Sequence, residues 1–294
     1  MLSILIPVYN YDCSELVAAL DKQAVRLNIN YEILVADDAS EESFRQRNRV
    51  INERPNCRYI ELSENVGRSR IRNILASEAQ YGYLLFMDCD GMVVRDDFLK
   101  DYVACIPDDK VVCGGIVHPD RLPDPSVSLR YTYEKQAEKR FTAEKRRQNP
   151  YGEFRSFNFM IAKDILDQHP FDESIVDYGF EDTLLGKELK AAGIPIRHID
   201  NPLMNGDIEP NEKYLAKMKR SLHTLYLHRS ELEGYSGVLT LYNKLQKFHA
   251  TGLVKGLYRV WRPAIMKNLT GQKPSLWCFK LYKIGCYCEI AAGN

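Results

Sequence analysis

Tyr83-Leu84-Leu85-Phe86-Met87-Asp88-Cys89-Asp90 is the stretch that decides the architecture. Its apolar run reads as a strand buried on both faces, and such strands belong to the interior of a parallel sheet covered by helices. The run leads into two carboxylates spaced i and i+2. In an open parallel sheet ligands bind beyond the carboxyl ends of the strands, so acids placed there face a ligand rather than the core. Two hard oxygen donors, Asp88 and Asp90, can hold Mg2+ or Mn2+, and such an ion neutralises a diphosphate. The competing reading is a strand end followed by an acidic surface turn.

Upstream the same pattern recurs. Glu32-Ile33-Leu34-Val35-Ala36 reads as a buried strand ending in Asp37 and Asp38. Leu2 to Val8 forms the first strand, interrupted at Pro7 and followed by the loop Tyr9-Asn10-Tyr11-Asp12. Leu16, Val17, Leu20, Ala24 and Leu27 then recur at helical spacing behind Ser14, a candidate cap. A helix is expected from Glu42 to Glu53 and a third strand from Cys57 to Leu62. Asn65 to Ala76 follows, with Gly67 for a tight turn and Ile71, Ile74 and Leu75 on one helical face. Arg68, Arg70 and Arg72 at its start oppose the helix dipole, so an anion is expected to offset them; solvated arginines are the alternative.

Downstream, a helix from about Asp96 to Cys105 leads to a strand from Lys110 to Val117. Strands alternating with helices specify an α/β fold, a mostly parallel sheet with right-handed crossovers. Arg130 to Gln148 pairs Glu with Lys repeatedly and reads as a solvated helix, or else as a mobile acceptor loop. Ser156 to Ala162 returns as a strand. Tyr178-Gly179-Phe180-Glu181-Asp182 is a glycine loop feeding a helix whose first turn holds two acids, positions that also serve capping. Gly193 closes that helix and Ile194 to Ile199 makes another strand.

Beyond Asn211 the apolar spacing is helical. Between Lys213 and Lys283 fourteen Lys or Arg face only Glu231 and Glu233, which makes this quarter a basic module. Its Tyr258, Trp261, Trp277, Tyr282 and Tyr287 are interleaved with Arg259, Arg262, Lys267, Lys280 and Lys283. That mixture suits an anionic membrane surface, or a basic cap that packs on the preceding domain.

Composition narrows the classes. Forty basic and forty acidic side chains cancel in 294 residues, which argues against nucleic acid as a partner. Eight cysteines without a C-x-x-C pair point to reduced thiols and a cytoplasmic setting. The start has neither the basic region nor the cleavage site of a signal peptide, and no apolar run approaches the ~20 residues of a membrane span. No G-x-G-x-x-G follows the first strand, against a dinucleotide-dependent dehydrogenase. A nucleotidyltransferase would need a basic, glycine-rich loop where Tyr9 to Asp12 stands.

Taken in order, these segments resemble the family 2 glycosyltransferases, whose GT-A domain is a Rossmann-like sheet binding a nucleotide-diphosphate sugar. Ile6-Pro7-Val8-Tyr9-Asn10 is similar to the family's first-strand signature, and Val35 to Ser40 to its base-recognition segment. Asn65-x-Gly67-x-x-x-x-Arg72-Asn73 resembles the third block, Asp88-Cys89-Asp90 the D-x-D motif, and Gly179-Phe180-Glu181-Asp182 the E-D motif.

The resemblance implies an inverting transferase that moves a sugar, from a UDP-sugar by preference, to a glycan or lipid-linked acceptor hydroxyl at the cytoplasmic face of a bacterial membrane. A non-catalytic relative serving a polysaccharide assembly complex is the alternative. It puts Pro7 and Tyr9 around base and ribose, with Asp38, aided by Asp37, accepting a hydrogen bond from the base. Asn65, Gly67 and Arg72 belong near the nucleotide or its phosphates. Asp90 becomes the direct ligand of Mn2+ or Mg2+, with Asp88 reaching ribose or metal through water. Asp182, next to Glu181, becomes the general base. Many relatives carry a histidine after the last core strand where this chain has Asn205, while His198 falls within the strand. The implied division is residues 1–211 as the transferase domain, with a nucleotide half over 1–117 and an acceptor half over 118–211, and 212–294 as a helical extension.

Overall fold

A computed structural model describes residues 1–293. In chain order the elements are β1 (Leu2–Val8), α1 (Ser14–Leu27), β2 (Tyr31–Asp37), α2 (Glu42–Asn48), β3 (Cys57–Glu61), α3 (Arg68–Glu78), β4 (Tyr83–Met87), β5 (Gly91–Met92), α4 (Phe98–Val103), β6 (Val111–Cys113) and β7 (Ile116–Val117). They continue with α5 (Ser128–Glu138), α6 (Ala143–Gln148), β8 (Asn158–Ala162), α7 (Lys163–Gln168), α8 (Glu181–Ala191), β9 (Arg197–His198), β10 (Leu203–Asn205), α9 (Asn211–Leu227), α10 (Gly237–Lys247), α11 (Thr251–Leu269) and α12 (Leu276–Gly293).

Two compact units result. The first comprises residues 1–117, 140–176 and 181–207. Its seven-stranded sheet has the order β3-β2-β1-β4-β8-β6-β9. The first four strands run parallel, and β8 lies antiparallel between β4 and β6. The chain builds outward from β1 through β2 to β3 and then returns to place β4 on the other side of β1. The loops after β1 and β4 therefore part at the switch point where open α/β sheets bind ligands.

Alternation along β1 supplies both sides of the core. Leu2, Ile4, Ile6 and Val8 pack with Leu16, Val17 and Leu20 of α1 and with Phe98, Leu99 and Tyr102. Leu5 faces the other side, with Ile71 and Leu75 of α3, Leu84 and Phe86 of β4, and Phe159 of β8. Phe86 and Phe159 stack with ring centroids 5.1 Å apart. Each such ring contributes several kcal/mol by burial alone. The buried Tyr83 to Met87 strand thus stands at the centre of the sheet.

Several expected boundaries move, for local reasons. The strand expected from Lys110 to Val117 divides into β6 and β7 because Gly114-Gly115 turns the chain. Gly115 has φ +99, and a Cβ on Gly114 would lie 2.4 Å from Asn201 O. β7 instead joins a small sheet, β5-β10-β7. The strand expected from Ile194 to Ile199 pairs only at Arg197–His198. The single solvated helix expected over Arg130 to Gln148 is two helices, since Thr142 caps α6 by accepting from Lys145 N.

Among the described residues, the second unit comprises 118–139, 177–180 and 208–293. Here α9 and α12 bury Tyr214, Leu215 and Leu222 together with Phe279 and Tyr282, and Tyr282 OH donates to Leu215 O at 3.1 Å. Tyr133 of α5 meets Phe279 edge-on at 5.2 Å, so α5 is a packed element rather than a solvated one. The aromatic residues of the tail separate cleanly: Tyr258, Tyr282 and Tyr287 are core, while Trp261 and Trp277 are exposed. No helix among the described residues is long and apolar enough to cross a membrane.

Candidate active site

The ends of β1 and β2 are stitched to each other. Asp38 N donates to Val8 O at 2.8 Å, Asn10 N to Ser40 Oγ at 2.8 Å, and Glu41 N to Asn10 Oδ1 at 2.8 Å. Asn10 and Ala39 take left-handed backbone to make the two turns. These hydrogen bonds leave Tyr9 54% exposed beside a half-buried Pro7. Asp37 is fully buried, and its carboxylate accepts from Ser40 N at 2.7 Å and Tyr59 OH at 2.6 Å, with Arg45 Nε at 3.5 Å. Its oxygens are spent on bracing the loop that presents Asp38.

Asp38 reaches across to the start of α3. Its carboxylate accepts from Val66 N at 2.6 Å and Gly67 N at 3.1 Å, while Asn65 Nδ2 donates to Asp38 O at 2.9 Å. Burial pushes this carboxyl above the ordinary aspartate value despite those bonds. Gly67, with φ +84, makes the turn that aims both amides at it.

The next residues carry the chain of contacts into the sheet. Arg72 is 1% exposed, and its Nη2 lies 2.6 Å from Asp88 Oδ1. Arg68 Nη2 lies 3.1 Å from Asp88 Oδ2, and its Nε lies 2.8 Å from Glu181 Oε1. The anions that these arginines call for are thus supplied by the protein. Arg70 points elsewhere, towards Glu173 at 4.0 Å. Burial pushes Glu181 up, but Arg68 and Arg72 outweigh it and hold the carboxyl below its usual value. Asp182 has the opposite environment: burial raises it, Glu181 adds to this, and Arg155 only partly offsets them. Neighbouring acids with pKa values pushed apart divide into a fixed anion and a proton acceptor.

A third group stands beyond β4. Gly91 N returns to Asp88 O at 3.1 Å, and β5 pairs antiparallel with β10, setting Asn205 opposite Gly91. Gly206 N donates to Asp90 O at 3.2 Å, which brings Asp207 alongside. Burial, then Asp207, then Asp90 push the Tyr11 phenol up to about 12. A divalent ion bound through one or two carboxylates takes its remaining ligands from phosphate and water. Asp90 with Asp207 fits that donor set. Asp88, with both oxygens against guanidiniums, fits it less well, and among the described residues no three His, Cys, Asp or Glu side chains converge as a ready-made metal cage.

A family model described as glycosyl transferase family 2 matches residues 3–169. The chain belongs to that family. Curated relatives include a glycosyltransferase of Haemophilus influenzae, uncharacterised, 26% identical over 34% of this chain and 40% of its own length. An uncharacterised glycosyltransferase of Rickettsia felis is 28% identical over 32% of this chain and 15% of its own. The matched segment thus spans less than half of either relative. Among solved structures, the mannosyltransferase PcManGT of Pyrobaculum calidifontis, in complex with GDP-Man and Mn2+, aligns with TM-score 0.59 at 14% identity over 99% of this chain and 86% of that one. S. aureus TarS 1-349 in complex with UDP-GlcNAc aligns with TM-score 0.54 at 16% identity over 99% of this chain and 90% of that one. These likenesses give the transferase a GT-A fold.

Within the transferase, the contacts run unbroken from Asp38 through Gly67 and Arg68 to Asp88 and Glu181, with Asp182 adjoining. Two residues of the site are not singled out by the sequence: Arg68 stands there only as one cation of three, and Asp207 is not marked at all. Its signal was present: an acid just past the strand that ends at Asn205. His198 lies apart, fully buried, accepting from Arg146 Nε at 3.2 Å and facing Pro150 O at 2.8 Å.

Proposed function

We propose that the chain transfers a sugar, with inversion, from a nucleotide-diphosphate sugar, UDP-linked by preference, to a hydroxyl of a glycan or lipid-linked acceptor. The observation that carries this reading is the unbroken run of contacts from Asp38 through Gly67 and Arg68 to Asp88 and Glu181, with Asp182 adjoining. Residues 1–211 hold the chemistry; residues 212–294 form the extension.

In this reading the base and ribose lie over Pro7 and Tyr9, and Asp38 offers its remaining lone pairs to a base N–H. Asp37 acts through Asp38 by fixing its loop. Asn65 and Gly67 line the nucleotide side of the α3 start, and Arg72 acts by orienting Asp88. Arg68, half-exposed above it, supports the diphosphate side. Asp182 takes the proton of the acceptor hydroxyl as that oxygen attacks the anomeric carbon. The bond from that carbon to the diphosphate oxygen breaks, and the nucleoside diphosphate leaves with the electron pair. Asp90, with Asp207, would hold Mn2+ or Mg2+, and a bound ion would supply stabilisation of the leaving charge.

The test is a panel of UDP- and GDP-sugars, each with and without Mn2+, read by melting temperature and by release of the nucleoside diphosphate. A metal-dependent rise in melting temperature together with turnover on at least one donor is expected. A complete panel without either response overturns the proposal.

A further inference from the structure

The outer face of α11 is apolar. Leu253, Leu257, Val260 and Trp261 recur at i, i+4, i+7 and i+8 and are 67%, 52%, 75% and 61% exposed. Phe248, at the turn from α10, is 81% exposed. The same helix already spends another face on packing, through buried Tyr258, Ile265 and Leu269. At ~1.5 Å per residue the unused stripe is about 12 Å long. Scattered apolar side chains are normal on a surface, but a continuous stripe at helical spacing that includes Trp261 marks a contact.

The charges around it say with what. Lys244 and Lys247 end α10, and Lys267 continues the stripe seven residues beyond Val260. A second copy of the chain would bring the same cations, fourteen against two acids between Lys213 and Lys283, and like charges would oppose the contact. A bilayer carrying anionic headgroups offers apolar depth and opposite charge together.

The geometry points to the outer face of α11, with Phe248, as a docking surface for an anionic lipid bilayer. Phe248, Leu257, Val260 and Trp261 seat at the acyl boundary, and Lys244, Lys247 and Lys267 meet phosphate headgroups. The helix lies in the interface. Tyr258, Tyr282 and Tyr287 take no part, since they form the core of the second unit; Tyr258 OH lies 3.1 Å from Cys286 Sγ inside it.

The experiment is co-sedimentation of the full chain with phosphatidylcholine vesicles, alone or with roughly a third phosphatidylglycerol. Binding is expected only to the mixed vesicles. It is expected to fall at least about tenfold in the Leu257→Glu/Trp261→Glu double variant, with melting temperature unchanged because both side chains are exposed. Should that variant unfold, Lys244→Gln/Lys247→Gln/Lys267→Gln is expected to lose binding while keeping its fold. Equal partition into both vesicle types, or undiminished binding by folded forms of both variants, overturns the proposal. So does a dimer in sedimentation velocity that the Trp261→Glu change dissolves, which would assign the face to a second copy.

Discussion

Arg68 joins Asp88 to Glu181, with Nη2 3.1 Å from the first carboxylate and Nε 2.8 Å from the second. Arg72 closes the cluster from below, nearly inaccessible at 1% exposure. Two guanidiniums therefore share two carboxylates in a site partly shut off from water. Removing one charge leaves the others uncompensated, and breaking a buried pair from one side costs about 3 kcal/mol or more. Glu181→Gln is expected to unfold at clearly lower urea concentration than wild type. The sign with pH follows: a carboxyl held below its ordinary value stabilises the fold above that value, and the contribution disappears as pH falls through the folded-state pKa. An unchanged urea midpoint would show that the cluster contributes nothing.

Asp182 carries the opposite prediction. Its carboxyl is raised by burial and by the charge of Glu181, which makes it a better proton acceptor than an ordinary aspartate. Asp182→Asn is expected to lower kcat roughly a hundredfold to ten-thousandfold while nucleotide binding persists. Wild-type kcat is expected to fall as pH drops through a pKa above the ordinary 3.8, because only the ionised form accepts the proton. In Glu181→Gln, where the neighbouring charge is gone, that limb moves to lower pH. Full transfer activity in Asp182→Asn would remove this residue from the chemistry.

The reach of the sequence differs between sheet and site. Tyr83 to Met87 and Glu32 to Ala36 are apolar without interruption, and burial on both faces leaves them no alternative to central strands. α5 departs from the expectation because its alternating charges look solvated, yet Arg130 Nε pairs with Glu134 at 2.9 Å inside the second unit, so the charges serve pairing rather than exposure. At the site, the spacing of Asp88 and Asp90 announced two acids but not their separate fates. One turns to Arg68 and Arg72, while the main chain of the other accepts from Gly206 N, next to Asp207. That separation depends on β10 returning beside β5, a pairing of short strands distant in sequence that no local pattern encodes.

The two acids of this motif should therefore respond differently to substitution. Asp90→Ala is expected to abolish the Mn2+-dependent part of the melting-temperature rise produced by UDP or GDP, since it removes the carboxylate proposed to hold the ion. Asp207→Asn is expected to weaken the same response without eliminating it. Asp88→Asn acts first on the protein itself: it leaves Arg68 and Arg72 short of a charge and lowers the melting temperature with no nucleotide present. If Asp88→Asn left the bare protein unchanged and only Asp88, not Asp90, governed the Mn2+ response, the assignment of the two would have to be exchanged.

His198 gives a prediction that is independent of the transfer chemistry. Burial, with the Arg146 guanidinium nearby, pushes its imidazole down from 6.5 to about 4. The neutral ring accepts from Arg146 Nε and donates from Nε2 to Pro150 O, so both nitrogens are used only while a single proton is present. An unfolded chain protonates near the ordinary value, whereas the folded chain resists it. Stability is therefore complete above about pH 6.5 and drains away as pH falls towards about 4, by at most roughly 3 kcal/mol. Urea unfolding at a series of pH values in this window measures the slope directly. His198→Gln keeps one acceptor and one donor but no titrating ring, and its stability is expected to vary less across the same window, even if its absolute value is lower. A slope identical to wild type would place the acid sensitivity in other groups.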